Sequence, residues 1–351
     1  MKGKLKAVIL RNEIPDDHLL WVRACEFFRE RLQYRIVDLT GNDWLEMVQS
    51  ESFDVLLAKP PALNSFYKEL YDERIYILAE VLKYKVFPSA AEIFIYENKR
   101  LLSYWLEANK IPHPKTDIFY SEKRAINFLE NKNFPIVAKS NIGACGSGVF
   151  ILRNAREALN YIKQTFNGKS VPRRLGPNLA KGGLLKRGLH YIFHPSDISK
   201  KLQVYKIAGQ EIQKGLVIFQ EYIAHDYEWR AVRIGDSFFA HKKIKIGQKA
   251  SGTELKEYCN PPLKLLDFVK AITDKYQFYS QAIDIFETAG QGYLVNEMQC
   301  LFGQSDSYQM LVNGEIGRYI FIENDWVFEK GDFNRNESYN LRIEHILKVS
   351  T

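Results

Sequence analysis

Cysteine is scarce and scattered in this chain. Cys25, Cys145, Cys259 and Cys300 form no CxxC pair and no CxxC…HxxxH spacing, so the sequence encodes neither a zinc site nor a local disulfide framework and fits a reducing, cytoplasmic setting. Long apolar runs are missing too. YIFIENDWVF and LVIFQEYIA are both broken by charges, well short of the roughly 20 residues that cross a bilayer, so no membrane span is expected. The opening MKGKLKAVILRNEIPDD turns acidic at once and offers no small-residue cleavage site, so it reads as a first strand. No GxGxxG follows that strand, which argues against a dinucleotide site there. No Ser/His/Asp or Cys/His arrangement stands out, and His225 and His241 read as local hydrogen-bonding residues.

What is present is enough apolar material for a full core. The 351 residues are 46% hydrophobic, consistent with two or three packed units. The formal charge is +7, but residues 169 to 214 alone hold ten Lys or Arg against Asp197 and Glu211. That local excess is larger than the charge of the whole chain and points to an anionic partner.

Along the chain, residues 1–95 alternate KAVIL, DDHLLWVRACEFFRERL, YRIVDL, DWLEMVQS, FDVLLA and a long helix through YKELYDERIYILAEVLKY. Strand, helix, strand, helix, strand is a parallel α/β layout, with Asp16 or Asp17 as cap of the first helix. Residues 96–167 read as a compact unit: helix ENKRLLSYWLEANK, strand KTDIFY, helix SEKRAINFLENK, the strand and glycine loop FPIVAKSNIGACGSGVFIL, and helix AREALNYIKQTF. Residues 168–202 lose periodicity and read as a basic, irregular insertion. Residues 203–351 return to strands, LQVYKIA, LVIFQEYI and EWRAVRIGDSFFAHKKIKIG, then a helix LLDFVKAITDKY and a hairpin AIDIFETAGQGYLVNEMQ.

Lys139 ends a strand just before Gly143, Gly146 and Gly148. A triphosphatase P-loop sets its lysine after the glycines, as GKS or GKT, and a protein kinase sets its glycine loop before its lysine. What remains is a strand-borne ammonium facing phosphates, followed by a loop whose N–H groups close over them. The plain alternative is a surface turn with Lys139 solvated, and this stretch alone does not separate the two.

The hairpin adds a second feature. A turn AGQG over 289–292 sets Thr288 opposite Tyr293, and by the same register Asp284 opposite Glu297. Period 2 puts Glu297 and Gln299 on one face. Two facing carboxylates repel unless a cation lies between them, and hard oxygen ligands suit Mg²⁺ carried in with phosphates. The alternative is that both face water on an exposed sheet.

With these motifs in order, the chain from Tyr96 to Gln304 resembles the ATP-grasp enzymes, of the carboxylate–amine ligase type that includes the ribosomal-protein glutamate ligase and D-alanine:D-alanine ligase. The resemblance implies an α/β N-terminal domain followed by two α+β subdomains whose antiparallel sheets clamp ATP. Residue by residue, Lys99 and Lys139 match the two phosphate-binding lysines, and GACGSGV, with Gly143, Gly146, Ser147 and Gly148, resembles the closing loop. Glu221, Tyr222 and Ile223 look like the adenine hinge, and Glu228 like the ribose-binding acid. Arg230 and Lys243 resemble the cations that face the transferred phosphate. Asp284, Glu297 and Gln299 fall on the metal positions, Gln299 standing where the family has Asn. Alternation favours Lys243 over Lys242 for that face.

The resemblance implies an ATP- and Mg²⁺-dependent ligase. A substrate carboxylate attacks the γ-phosphate, an acyl phosphate forms, and an amine displaces phosphate to give an amide. The carboxylate is an anionic small molecule, a peptide or a glycan-linked acid, selected by the basic insertion and by CLFGQSDSYQM. A kinase on the same fold, acting on a hydroxyl or amide, is the rival, and a non-catalytic nucleotide-binding regulator is another, with Gln299 its one hint. A nucleic-acid groove is disfavoured because Tyr191, Phe193 and Tyr205 are too sparse for a stacking platform. A homodimer is an option the resemblance raises and no residue decides.

Overall fold

The computed structural model describes residues 3–143, 148–168, 195–246, 249–250, 255–304 and 306–350. The chain forms two compact units. The larger holds residues 1–60, 69–113 and 225–351, and the smaller holds residues 61–68 and 114–224. Among the described residues no helix is long and apolar enough to cross a membrane.

The larger unit contains two sheets. In the first, strands Leu32–Asp38, Leu5–Arg11, Val55–Ala58 and Val86–Phe87 lie in that order, all parallel. Ala7 to Leu10 and Val55 to Ala58 are buried without alternation, as strands covered on both faces must be. Helix Leu19–Phe27 packs Trp21 inward, and its indole N–H donates to the Ala58 carbonyl at 3.0 Å. The expected aspartate cap does not form. The helix starts at His18 with no side-chain cap, because the Asp17 carboxylate is drawn to Asn12 at 3.0 Å and Lys59 at 3.3 Å.

The second sheet is nine-stranded and antiparallel. Its main path runs Gly292–Gln299, Ser280–Thr288, Tyr227–Ile234, Ser237–Ile246, Glu315–Ile322 and Leu311–Val312. Helix Leu263–Tyr276 covers one face, where Leu265, Leu266 and Val269 meet Trp229, Ala231, Ile283, Ile285 and Met298. Period 2 then turns Glu228, Arg230, Asp284, Glu297 and Gln299 to the other face. The run YIFIENDWVF, noticed in the sequence only for its charges, is a hairpin of strands Glu315–Ile322 and Asp325–Lys330. Glu323 and Asn324 both take positive φ at its tip, the backbone a two-residue turn needs to match strand twist.

In the smaller unit, strands Thr116–Phe119, Val217–Glu221, Ile136–Lys139 and Val149–Leu152 form an antiparallel sheet in that order. Helices Glu122–Leu129 and Ala155–Phe166 are N-capped by Ser121 and Asn154. They close a core of Ala125, Ile136, Ala138, Tyr161, Ile162 and Phe219. The strand expected at LQVYKIA is instead the second half of helix Pro195–Gly209. Ile207 is buried while Leu202 is exposed, so the segment has one apolar helical contact and not the inward row a strand requires. The basic residues from 169 to 194 lie outside the described residues.

One short element fixes the approach to the site. Helix Ala90–Ile95 opens with a capping box in which Ser89 and Glu92 bond reciprocally. Glu92 also accepts from the Ser280 N–H at 3.0 Å and from Gln281 at 3.3 Å, tying this helix to the strand that carries Asp284. Burial outweighs those donors and pushes the Glu92 carboxyl up to about 7. The folded state therefore holds this proton through a window, about 4.5 to 7, in which the unfolded chain has released it, so its contribution to stability falls as pH rises. Thermal unfolding at pH 5 and pH 8 is expected to show a wild-type loss across that interval that Glu92→Gln reduces. An equal loss in both proteins would remove Glu92 as the cause.

Candidate functional site

The larger unit holds Lys99, Glu228, Arg230, Lys243 and the hairpin carboxylates, and the smaller holds Lys139, the glycines and the Glu221–Ile223 segment. In the larger one, the geometry begins with the hairpin. Thr288 pairs with Gly292 and Glu287 with Tyr293, so the expected pairing of Thr288 with Tyr293 is wrong by one residue. The turn is shorter than assumed. The register then shifts between Asp284 and Ile285, where Asn296 is the extra residue of a bulge, and Asp284 falls opposite Glu297 after all. Asn296 donates to Glu228 at 3.2 Å.

The cation required between these carboxylates is supplied by the chain itself. Asp284 is 1% exposed. Arg230 grips it with two prongs, Nε to Oδ1 at 2.9 Å and a terminal nitrogen to Oδ2 at 3.0 Å. Lys243 Nζ adds a third contact at 2.6 Å and reaches Glu228 at 3.1 Å. Arg230 therefore pairs with Asp284 rather than with its strand neighbour Glu228. Lys242, on the other side of the strand, lies over the Tyr227 and Trp229 rings and pairs with Glu257. Burial alone would push the Asp284 carboxyl up, but Arg230 and Lys243 outweigh it and hold it well below the usual carboxylate range. The same pairing keeps Arg230 and Lys243 protonated against their own burial.

Lys99, the first residue of helix Lys99–Ala108, lies 3.7 Å from Glu297 and 3.5 Å from Glu97. Glu97 is a member of this cluster that the sequence reading missed. Its side chain is 1% exposed, its backbone takes φ +49°, and it accepts from the Gln299 amide at 3.0 Å. Burial raises its carboxyl to about 7 against the opposing pull of Lys99. The signal available was an acidic residue two places before the matched lysine, which pattern alone does not distinguish from a surface glutamate. Gln299 in turn presents its amide oxygen to Arg230 at 3.3 Å. Lys99, Arg230 and Lys243 are thus interleaved with Glu97, Glu228, Asp284 and Glu297.

Asp284, Glu297 and Gln299 offer hard oxygens of the kind Mg²⁺ takes. No cage of three or more metal-ligating acid, histidine or cysteine residues exists among the described residues. A Mg²⁺ arriving with phosphates takes one or two carboxylates and fills its remaining positions with substrate oxygen and water. Glu297, the more open of the two acids with its side chain 24% exposed, would be the first ligand.

The smaller unit holds the nucleotide-type motifs. Lys139 ends strand Ile136–Lys139, between Val149 and Ile218, and is 7% exposed, so the reading of a solvated surface lysine does not hold. Gly143 has φ +144°, a backbone glycine adopts readily. Gly148 is required by contact: a Cβ there would lie 1.7 Å from Ser140 Oγ, where Ser140 N–H donates to the Gly148 carbonyl at 2.7 Å. Gly148→Ala is expected to push Lys139 and its neighbours out of register, lowering the unfolding midpoint and raising the KM for ATP severalfold; unchanged values for both would contradict this. Gly146 and Ser147 lie outside the described residues. Glu221 ends the central strand Val217–Glu221, its N–H bonded to the Lys115 carbonyl at 2.8 Å, and is exposed; Tyr222 and Ile223 follow, half-buried.

The chain is similar to known proteins over part or most of its length. Residues 97–170 match the RimK-like ATP-grasp domain. The glutamate–LysW ligase ArgX of Sulfurisphaera tokodaii is 24% identical over 84% of this chain and 89% of its own length. The α-aminoadipate–LysW ligase LysX of Saccharolobus solfataricus is 23% identical over 63% of this chain and 67% of its own. In fold, the N5-carboxyaminoimidazole synthetase of Staphylococcus aureus, solved with ADP, aligns with a TM-score of 0.52 at 12% identity, over 87% of this chain and 73% of that one. Residues 97–170 are thus similar to the RimK-like ATP-grasp domain, and the chain shares its fold with the synthetase.

Proposed function

We propose that this protein is an ATP-dependent carboxylate–amine ligase that forms an amide through an acyl phosphate, releasing ADP and phosphate. The observation that carries the reading is the interleaved cluster on one sheet face, in which Arg230 and Lys243 are fixed by Asp284 and Glu228 before any substrate arrives. Phosphoryl transfer needs positive charge already in place where negative charge gathers, and cations held by buried carboxylates need little reorganisation. Both curated relatives are named as ligases, which favours ligation over the kinase reading.

In this mechanism Lys139 and Lys99 bind ATP phosphates, Glu221 accepts from the adenine amino group, the backbone at Tyr222 and Ile223 reads the ring edge, and Glu228 takes the ribose. Arg230 and Lys243 face the γ-phosphate as the substrate carboxylate attacks it. Asp284, Glu297 and Gln299 would hold Mg²⁺, which supplies charge neutralisation on the phosphates when bound. The amine then attacks the acyl carbon, the bond to phosphate breaks, and phosphate leaves with the electron pair and takes up the proton that the nitrogen releases. No covalent enzyme intermediate is needed, since positioning and charge carry the reaction. The relatives are named for joining an amino acid to LysW, which supports an amino acid as one of the two substrates. The described cysteines Cys25, Cys259 and Cys300 are free of disulfides, in keeping with the cytoplasm.

The test is mass spectrometry of a cell extract, metabolites and proteins together, incubated with MgATP and either wild type or Lys139→Met. Products from wild type alone, equal in mass to two components less water, are the expected result. Products that only gain phosphate would overturn ligation in favour of the kinase.

A further inference from the structure

The cluster face carries a buried polar atom that no described residue satisfies. His241 lies opposite Arg230 in the sheet and is 1% exposed. Its Nδ1 sits 2.9 Å from the Gln309 carbonyl. A carbonyl only accepts, so Nδ1 must carry the proton and Nε2 is left as a lone pair. Among the described residues that Nε2 is buried with no hydrogen-bond partner, and so is the Gln309 side-chain oxygen, another acceptor. Gln309 cannot relieve its own oxygen by turning its amide. Ser338 donates to Asn334 at 2.7 Å and so must accept from the Gln309 amide nitrogen.

The surroundings are built, not loose. The Tyr258 ring packs on His241 at 5.3 Å between centroids, and the Tyr258 hydroxyl donates to Asp306 at 2.5 Å. Lys256 bonds both Asp306, at 2.7 Å, and Gln304, at 2.5 Å. Burial, Arg230 and Lys256 together push the imidazole down to about 3, which keeps the lone pair available across ordinary pH. An orphaned buried acceptor is costly, and a donor that reaches it restores the missing bond.

Resting on the ligase reading above, we propose that His241 Nε2 is the hydrogen-bond acceptor for the attacking amine. The choice of reactant follows from chemistry. The phosphate end of ATP and the substrate carboxylate bring only acceptors to this face, which Arg230 and Lys243 satisfy. The amine alone brings N–H groups to the reacting end. One N–H held by Nε2 orients the amine and leaves its nitrogen lone pair for the acyl carbon. His241 thus contacts the second substrate and has no part in making the acyl phosphate.

The experiment separates those two stages. Wild type, His241→Phe and His241→Gln are incubated with the cell extract and MgATP, with and without hydroxylamine at a concentration high enough to trap acyl phosphate without a binding site. His241→Phe is expected to keep hydroxamate yield within about twofold of wild type while amide product at fixed amine falls about tenfold. His241→Gln, which keeps an acceptor, recovers most of that loss. Hydroxamate and amide falling together, or neither falling, overturns the assignment. Absence of hydroxamate from wild type overturns the ligase reading itself, and the amine site with it. Should His241→Phe fail to fold, ¹⁵N NMR of wild type decides: Nε2 is expected unprotonated, and its resonance should move when the amine fraction of the extract is added. A protonated Nε2, or one that does not respond, overturns the proposal.

Discussion

Arg230→Met is expected to lower ATP-dependent ADP formation by about a thousandfold and the unfolding free energy by roughly 3 kcal/mol. Both losses follow from the same contacts. Asp284 is fully enclosed, and two of its three short contacts come from the guanidinium. Removing the guanidinium leaves a buried carboxylate with Lys243 alone, which is the situation in which a broken buried pair costs most. Arg230→Lys restores the charge without the second prong and should recover stability more than rate, because a single ammonium cannot grip both oxygens and stay aimed at a phosphate. Urea unfolding and steady-state ADP release measure the two effects. If the rate falls less than tenfold in Arg230→Met, the guanidinium is an architectural brace for Asp284 and not part of the phosphoryl site. The variant should also shift the acid limb of stability. With Arg230 present, the Asp284 carboxyl is depressed, so its contribution is intact above about pH 4 and is lost only as pH falls well below that value. Without Arg230 the loss begins at higher pH.

Lys139→Met is expected to cut kcat/KM for ATP by a hundredfold or more, equivalent to about 2.7 kcal/mol of lost transition-state stabilisation. Methionine keeps most of the buried stem and removes only the ammonium, so the unfolding midpoint is a control for packing. The effect should concentrate on the nucleotide: binding of a fluorescent ATP analogue weakens, while the hydroxamate-to-amide ratio is unchanged. An unaltered KM for ATP would place Lys139 in the strand's own packing and remove the nucleotide assignment of that loop.

Sequence patterning reached the fold where burial follows a simple rule. The parallel N-terminal strands were legible because both of their faces are covered, and Lys243 was separable from Lys242 because alternation assigns one to each side of the sheet. Patterning failed where one contact overrides local preference. Asp17 looks like a helix cap but is claimed by Lys59 and Asn12, and LQVYKIA has strand-like composition yet buries only Ile207 along one helical side. Among site residues, Asp284 and Glu297 could be named from spacing and Arg230 from the family resemblance, but not that Arg230 grips Asp284, since that depends on which strands are neighbours. Glu97 and His241 escaped functional reading for a different reason. Each is significant through what surrounds it in space, a buried amide for one and an empty lone pair for the other, and neither property has a sequence period.

The extra residue at Asn296 separates two things that a plain hairpin would lock together, the length of its turn and the partner of its acid. Strand parity is binary: one residue more or less exchanges the inward and outward sets. With the bulge, Met298 points to the apolar core and Glu297 to the charged face even though the tip is one residue out of step. Deleting Asn296 would leave Glu297 opposite Asp284 in a regular ladder, with Met298 still on the core side, and would remove only the bulge and its contact with Glu228. Asn296 thus takes up within the strand the residue that the short turn releases, which is why Asp284 still meets Glu297.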